Sequence, residues 1–298
     1  MNTTVSRPPT VKSPNLPHRD HGSAPSGPIA QPLGTFELAI LAQADRHGRS
    51  VLIIPDDTDL LDEATGNPQQ TARSLQKLLR AGWLLRVRRG TFVVRTRAGT
   101  LDRGALSLVG EISRHAHLVT GGAALARAGL TDQSFRRIIV LTPSLQRDWS
   151  WMGETVRYVR VRQKTLWGGR TYIDSGSTRI ARPTRALLDS VAHPSWGVTL
   201  SEVARAISRG SRLPEFVDDL ASDAARFGNA LASRRVGFVV QQILGPAEAR
   251  PFLPLRGRSN AIVPLVPTAT SADGPIDSTW RLRVNVDVEM LLDGLGAE

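Results

Sequence analysis

Gln70, Arg73, Ser74 and Lys77 follow one another at spacings of three, one and three residues, which places them along one side of a helix. Their amide, guanidinium, hydroxyl and ammonium groups are the kinds that read base edges in a duplex groove. An amide pairs bidentately with adenine and a guanidinium with guanine, each worth about 1–3 kcal/mol of discrimination. A little downstream, Arg86, Arg88 and Arg89 crowd the turn at Gly90. Cations at a hairpin tip suit phosphate, which adds salt-dependent affinity with little sequence preference. The expectation is therefore that Arg73→Ala relaxes sequence choice, whereas Arg88→Ala weakens binding to all duplexes alike.

The elements that must carry these groups are legible around them. Residues 67–94 read NPQQTARSLQKLLRAGWLLRVRRGTFVV. Asn67 suits an N-cap and Pro68 the first helical position, where its missing N–H costs nothing. Ala72, Leu75, Leu78 and Leu79 recur at helical spacing as the buried face, and Gly82 stops the helix. Residues 83–87 and 91–95 then read as two strands joined through Arg88, Arg89 and Gly90. Upstream, order begins near Gly34. Thr35 is the expected N-cap of a first helix whose apolar stripe is Phe36, Ile40, Leu41 and Ala44. Residues 51–54 make a short strand. A second helix starts at Asp56, Asp57 or Asp59, turns Leu60, Leu61 and Ala64 inward, and ends at Gly66. Helix, strand, helix, tight turn, helix, hairpin is the order of a winged helix-turn-helix.

Other residue sets could do chemistry and are weaker. Asp56, Asp57 and Asp59 look like a metal site on paper, but three carboxylates opening a helix complement its macrodipole. His115 and His117 alternate as a zinc pair could, without a third ligand nearby. The Gly121–Gly122 pair could cup an anion at a helix start, although close packing explains two glycines equally well. The Gly176–Ser177 and Gly210–Ser211 pairs lack the spaced aspartates that would hold catalytic magnesium. Arg185 and Asp189 fit an i, i+4 ion pair. No catalytic set, metal or cofactor is expected, and the reading is of a protein that is not an enzyme. A basic strand face, Arg157, Arg160 and Arg162, with Lys164, Trp167 and Arg170 close by, suits nucleic acid or an acidic partner surface.

The chain has 298 residues, 41 % apolar and 22 % charged, ordinary for globular domains and enough for two of them. Its net charge of +11 favours a polyanionic partner. There is no cysteine, no apolar run long enough to span a membrane and no secretory segment at the N-terminus. A cytoplasmic protein is expected. Residues 1–33 form a Pro- and Ser-rich tail too polar to fold. Residues 34–98 form the winged helix-turn-helix unit. Residues 99–298 form a larger mixed α/β domain: strands first, then helices at 184–191, 200–208, 214–224 and 230–244, then closing strands. The expected fold class is α+β.

The chain also resembles the AbiEi family of antitoxins from type IV toxin–antitoxin systems. The matching segments are the wing RRGTFVV, LVTGGAALARAGL with Gly129, RRIIVLTP, TVRYVRV and TYIDSGSTRIARPTRALLDSV. Asn229–Ala230, Arg235–Val236–Gly237–Phe238 and Trp280–Arg281–Leu282 with Asn285 complete the pattern, which covers most of residues 34–292. The resemblance implies a winged helix that represses its own operon at inverted repeats in double-stranded promoter DNA. It also implies a C-terminal domain that counteracts a cognate nucleotidyltransferase-type toxin without requiring a stable complex. The alternative is a winged-helix regulator whose second domain senses a ligand.

Overall fold

The computed structural model describes residues 32–95, 103–172, 177–271 and 273–293. The tail up to residue 31, with His18 and His21, lies outside them, as do the expected domain boundary near residue 98 and Gly176. The protein is α+β, built from two units that share a sheet.

The first unit runs α1 (Thr35–Arg46), β1 (Val51–Ile53), α2 (Thr58–Thr65), α3 (Pro68–Arg80), β2 (Leu84–Arg88) and β3 (Thr91–Val94). The start of α3 forms as expected: the Asn67 side chain accepts a 2.8 Å bond from the Gln70 N–H, with Pro68 beside it. Gly66 ends α2 at φ +83, a conformation that strains any residue with a Cβ. The start of α1 differs from expectation. Gly34 is its N-cap and Thr35 its first helical residue, with no side-chain cap. Phe36 is exposed and Glu37 is buried in its stead.

The inward face of α3 also differs. It is formed by Thr71, Ser74, Leu75 and Leu78, while Ala72 points to solvent. At about 100° per residue, 71, 74, 75 and 78 share one side and 72 falls outside it, on a flank. Polarity hid this, because Thr71 and Ser74 are buried with their hydroxyls satisfied. Thr71 donates to Asp62 Oδ1 at 2.6 Å.

The strand order in the first sheet is β1-β3-β2, with β3 antiparallel to both neighbours. Register sorts the side chains into two faces. Leu52, Leu84 and Phe92 join Ile40, Leu61, Leu75 and Leu78 in the core under α1–α3. Val51, Leu85 and Val93, one rung of the same sheet, belong to the core of the second unit.

That unit continues with α4 (Ala105–Ser113), β4 (Leu118–Thr120), α5 (Gly122–Arg127), β5 (Arg137–Thr142), β6 (Trp149–Trp151), β7 (Glu154–Arg160), β8 (Gly169–Thr171), β9 (Arg179–Ala181) and α6 (Pro183–Ala192). After α6 come α7 (Leu200–Gly210), α8 (Phe216–Phe227), α9 (Ala230–Leu244) and α10 (Pro246–Ala249). The chain closes with β10 (Val263–Pro264), β11 (Ile276–Asp277), β12 (Leu282–Arg283) and α11 (Val288–Leu292). The large sheet has the order β6-β7-β5-β4-β9-β8, with β5/β7 and β4/β9 parallel and the other pairs antiparallel. Ser113 of α4 meets Tyr158 on one face, and Asp189 of α6 meets Thr120 on the other. The helix α4 is therefore the layer between the two sheets. It approaches closely: a Cβ on Gly110 would lie 2.4 Å from the Ser177 carbonyl carbon.

Polar contacts reinforce this junction. The buried Asp57 accepts from the Ile53 N–H at 2.7 Å and from Arg114 at 2.5 Å. It serves the junction between units and makes no side-chain cap on α2. Ser50, Arg103 and Glu111 bind one another across the same seam.

Candidate nucleic-acid interface

On α3 the structure turns to solvent a face rotated away from the expected one. Gln69, Ala72, Arg73, Gln76 and Arg80 are exposed. Gln69, Arg73, Gln76 and Arg80 follow each other at spacings of four, three and four, a single stripe down the helix. Arg73 is common to both readings. Ser74 is a correction: it is wholly buried and cannot meet a base. Its Oγ accepts from Gln70 Nε2 at 3.1 Å, and Gln70 is half-buried at the edge of the stripe. Lys77 stays accessible, its side chain 63 % exposed, with Nζ 3.6 Å from Glu37.

The buried carboxyl of Glu37 therefore organises one flank of α3 from beneath. Burial opposes its ionisation. The Ser74 hydroxyl, backbone N–H groups at the start of α1 and Lys77 together outweigh that and hold the carboxyl below the ordinary glutamate range. Gln69, Gln76 and Arg80 escaped the sequence reading, although the spacing of 69, 73, 76 and 80 around a buried 71–75–78 line could have found them.

The three arginines expected at a wing do not act together on the β2–β3 hairpin. The β2–β3 register slips between Arg86 and Arg88, so the strand carries a bulge there. Arg86 shares a rung with Phe92, its guanidinium 5.7 Å from that ring, on the α3 side of the sheet. Past the bulge, Arg88 pairs with Thr91 and turns to the second unit, donating at 2.8 Å to the Arg147 carbonyl and at 3.5 Å to Gln146 Oε1. Arg88 as a phosphate contact is thus corrected: its guanidinium is a tether between units. Arg89 is exposed at the turn. The turn itself is held down, since the Gly90 carbonyl accepts from the Ile54 N–H at 2.7 Å. A Cβ at Gly90, where φ is +72, would stand 2.9 Å from the Ile54 oxygen.

In the second unit, strand parity separates the expected basic face. Arg157 and Arg160 are three residues apart on β7 and point to opposite sides of the sheet, Arg160 to the α4 side. Arg160 and Arg162 do come together, lining a cleft of about 670 Å³ with Pro143, Val161, Gln163 and Thr165. Lys164 and Arg170 are exposed. The Trp167 ring is already engaged within the protein, with the guanidiniums of Arg185 and Arg226 at 4.4 and 4.6 Å from it.

The remaining candidates are structural. His117 is buried, its Nδ1 on the His115 carbonyl at 2.8 Å and its Nε2 accepting from the Arg179 N–H at 3.0 Å. Both ring nitrogens of His117 are used inside the protein, while His115 is exposed, so the two do not project together as a zinc pair would. Burial above all lowers the pKa of His117; the bond to His115 opposes this and the Arg179 charge adds to it. Arg185 and Asp189 form their i, i+4 pair at 3.0 and 3.1 Å, wholly buried, with Thr120 donating to the same carboxylate. Gly122 packs against Phe135, which a Cβ would meet at 2.3 Å. Among the described residues, no group of three or more His, Asp or Glu side chains is placed to hold a metal ion.

No family model matches this chain, and no curated sequence does. A solved structure shares the fold. The crystal structure of the Rv2827c protein from Mycobacterium tuberculosis is similar over 92 % of this chain and 98 % of that one, with a TM-score of 0.65 and 18 % identity. The likeness therefore runs through both units, and at that identity it speaks for the fold alone. No helix among the described residues is long and apolar enough to cross a membrane.

Proposed function

We propose that the protein is a cytoplasmic, DNA-binding antitoxin that represses its own operon and counteracts a cognate nucleotidyltransferase-type toxin, with no chemistry of its own. The observation that carries the DNA-binding part is the exposed stripe Gln69, Arg73, Gln76 and Arg80 on α3. Arg86 lies on the same side of the adjoining sheet. Read as a winged helix-turn-helix, α3 enters the major groove at inverted repeats in the promoter while Arg86 and Arg89 grip flanking phosphate. The antitoxin part rests on the family resemblance in sequence. A second reading, a regulator whose second unit senses a ligand, draws support from the cationic cleft at Arg160 and Arg162.

Two measurements test the proposal. Mobility-shift titration of the full chain against its own upstream DNA should give a specific complex that Arg73→Ala weakens. Equal affinity for a scrambled duplex ends the repressor reading. Co-expression with a neighbouring nucleotidyltransferase-like gene should restore growth, and unrestored growth with intact, folded protein ends the antitoxin reading. Point variants of the full chain are the right tools, because deleting residues 1–98 would strip Val51, Leu85 and Val93 from the second core.

A further inference from the structure

The cleft at the end of β7 has the chemistry of an anion site and a mechanical connection to the wing. Arg160 and Arg162 are both exposed there, and no carboxylate is among the residues that line it. Neither arginine forms an ion pair with any described residue. Guanidiniums without acidic partners, side by side in an open surface depression, match phosphate oxygens in fork geometry. Gln163 and Thr165 add neutral groups able to bond a phosphate or a sugar hydroxyl.

The floor of the cleft is fixed. Arg160 lies opposite Thr142 in the β5/β7 register, and the Val161 N–H donates to the Thr142 carbonyl at 2.9 Å. Pro143, the next residue, lines the cleft and opens the loop of residues 143–148. That loop is anchored at both ends: Thr142 Oγ1 accepts from the Ser144 N–H, and Asp148 accepts from the Tyr158 N–H at 2.9 Å. Its middle carries the Gln146 and Arg147 acceptors that hold Arg88 of the wing. Only the few residues from Pro143 to Arg147 separate the cleft from the tether.

We propose that this cleft binds the phosphate groups of a nucleotide-sized ligand, and that residues 143–148 transmit its occupancy to the β2–β3 wing through Arg88. The binding half holds whether or not α3 reads DNA. The transmission half extends the ligand-sensing reading and requires two arrangements of the loop with different affinities for ligand.

Calorimetric titration of the full chain with ATP and, separately, with inorganic tripolyphosphate, at about 0.15 M salt to suppress loose ion pairing, tests the binding half. Both probes should bind wild type. Arg160→Glu with Arg162→Glu should weaken them at least tenfold, while Arg136→Glu with Arg157→Glu, the same charge change away from the cleft, should leave them within twofold. ATP binding no tighter than tripolyphosphate assigns recognition to phosphate alone, and tighter binding adds the nucleoside. Absence of binding to wild type, or equal loss in both double variants, overturns the site. If the glutamate pair fails to fold, the Arg160→Gln, Arg162→Gln pair provides the same comparison. For transmission, saturating tripolyphosphate should slow or speed amide exchange of the β2–β3 wing at least threefold in wild type and not in Arg88→Ala. An unchanged wing in liganded wild type removes transmission. No DNA enters either assay, so failure here is separable from failure of the repressor reading.

Discussion

The split among the wing arginines has a consequence that salt dependence can read. A side chain that neutralises one phosphate of B-DNA adds about 0.9 to the slope of log affinity against log salt. Between about 50 and 200 mM salt, that single contact is worth roughly a 3.5-fold change. Arg89 is exposed at the turn and Arg86 faces the α3 side, so each is placed to make such a contact. Arg88 sits beyond the bulge with its guanidinium on the Arg147 carbonyl. Arg89→Ala should therefore lower the slope by about 0.9, and its affinity deficit should shrink roughly 3.5-fold across that salt range. Arg88→Ala should leave the slope unchanged. It should instead remove a charge-assisted but solvent-facing bond, worth about 1 kcal/mol, or roughly 2–4 °C in melting midpoint for a domain of this size. Fluorescence anisotropy with a duplex of the DNA upstream of the gene, at several salt concentrations, measures the first effect. Differential scanning calorimetry measures the second. A slope lowered equally by both variants would mean that the bulge does not divide the wing's charge, and the assignment of Arg88 as a tether would fall.

Other outcomes follow from the same structure. Arg73→Ala and Gln76→Ala should each cost about 1–3 kcal/mol of discrimination between operator and scrambled duplex. Ser74→Ala should leave discrimination alone and lower thermal stability, and a change of sequence choice without a change in stability would restore Ser74 to the reading face. The imidazole of His117 is held below its ordinary range, so it contributes stability above the unfolded value of about 6.5 that is lost as pH falls through it. Melting midpoints recorded between about pH 8 and 5 should fall more steeply for wild type than for His117→Gln; parallel profiles would remove His117 as the cause. Arg185→Ala strands the buried Asp189 carboxylate and should cost about 3–5 kcal/mol by chemical denaturation, whereas replacing both members with apolar residues of similar volume should cost far less. Equal costs would show that packing, not charge, decides there.

The elements themselves were readable where local rules act alone. Asn67, Pro68 and Gly66 set the limits of α2 and α3 through capping and backbone freedom, which need no knowledge of the rest of the chain. The strand at β5 and the helix α9 stand where apolar pattern put them. Failures came where tertiary context overrode residue type. Ser74 read as a surface residue and Thr71 was not placed on the buried face, yet their hydroxyls find partners inside, which removes the usual objection to burying them. Phe36 read as core and is exposed, because Glu37 fills that inward position against Ser74 and Lys77. The bulge that turns Arg88 is a matter of register, set by strand pairing and carrying no mark in composition. Likewise Arg157 and Arg160 look adjacent in a basic run, and only parity along β7 puts them on opposite faces.

The shared first sheet decides how freely the two units can move. The Asp57–Arg114 pair, the bonds of Ser50 to Glu111 and Arg103, and the Arg88 tether all cross the seam, but each has a partly exposed member. Solvent screening leaves such contacts at about 0–1 kcal/mol apiece. Val51, Leu85 and Val93 are another matter, since each is nearly fully buried against the second unit and worth about 1.5–3 kcal/mol. Separation of the units would expose that whole rung at once. The polar contacts thus fix orientation while the apolar rung fixes association. The β2–β3 hairpin consequently belongs mechanically to the second unit as much as to α1–α3, whose own core takes the alternate side chains of the same three strands. The loop at residues 143–148 meets the hairpin through the Arg88 bonds, which lie outside both apolar cores, so the ligand transmission proposed above would require neither core to open.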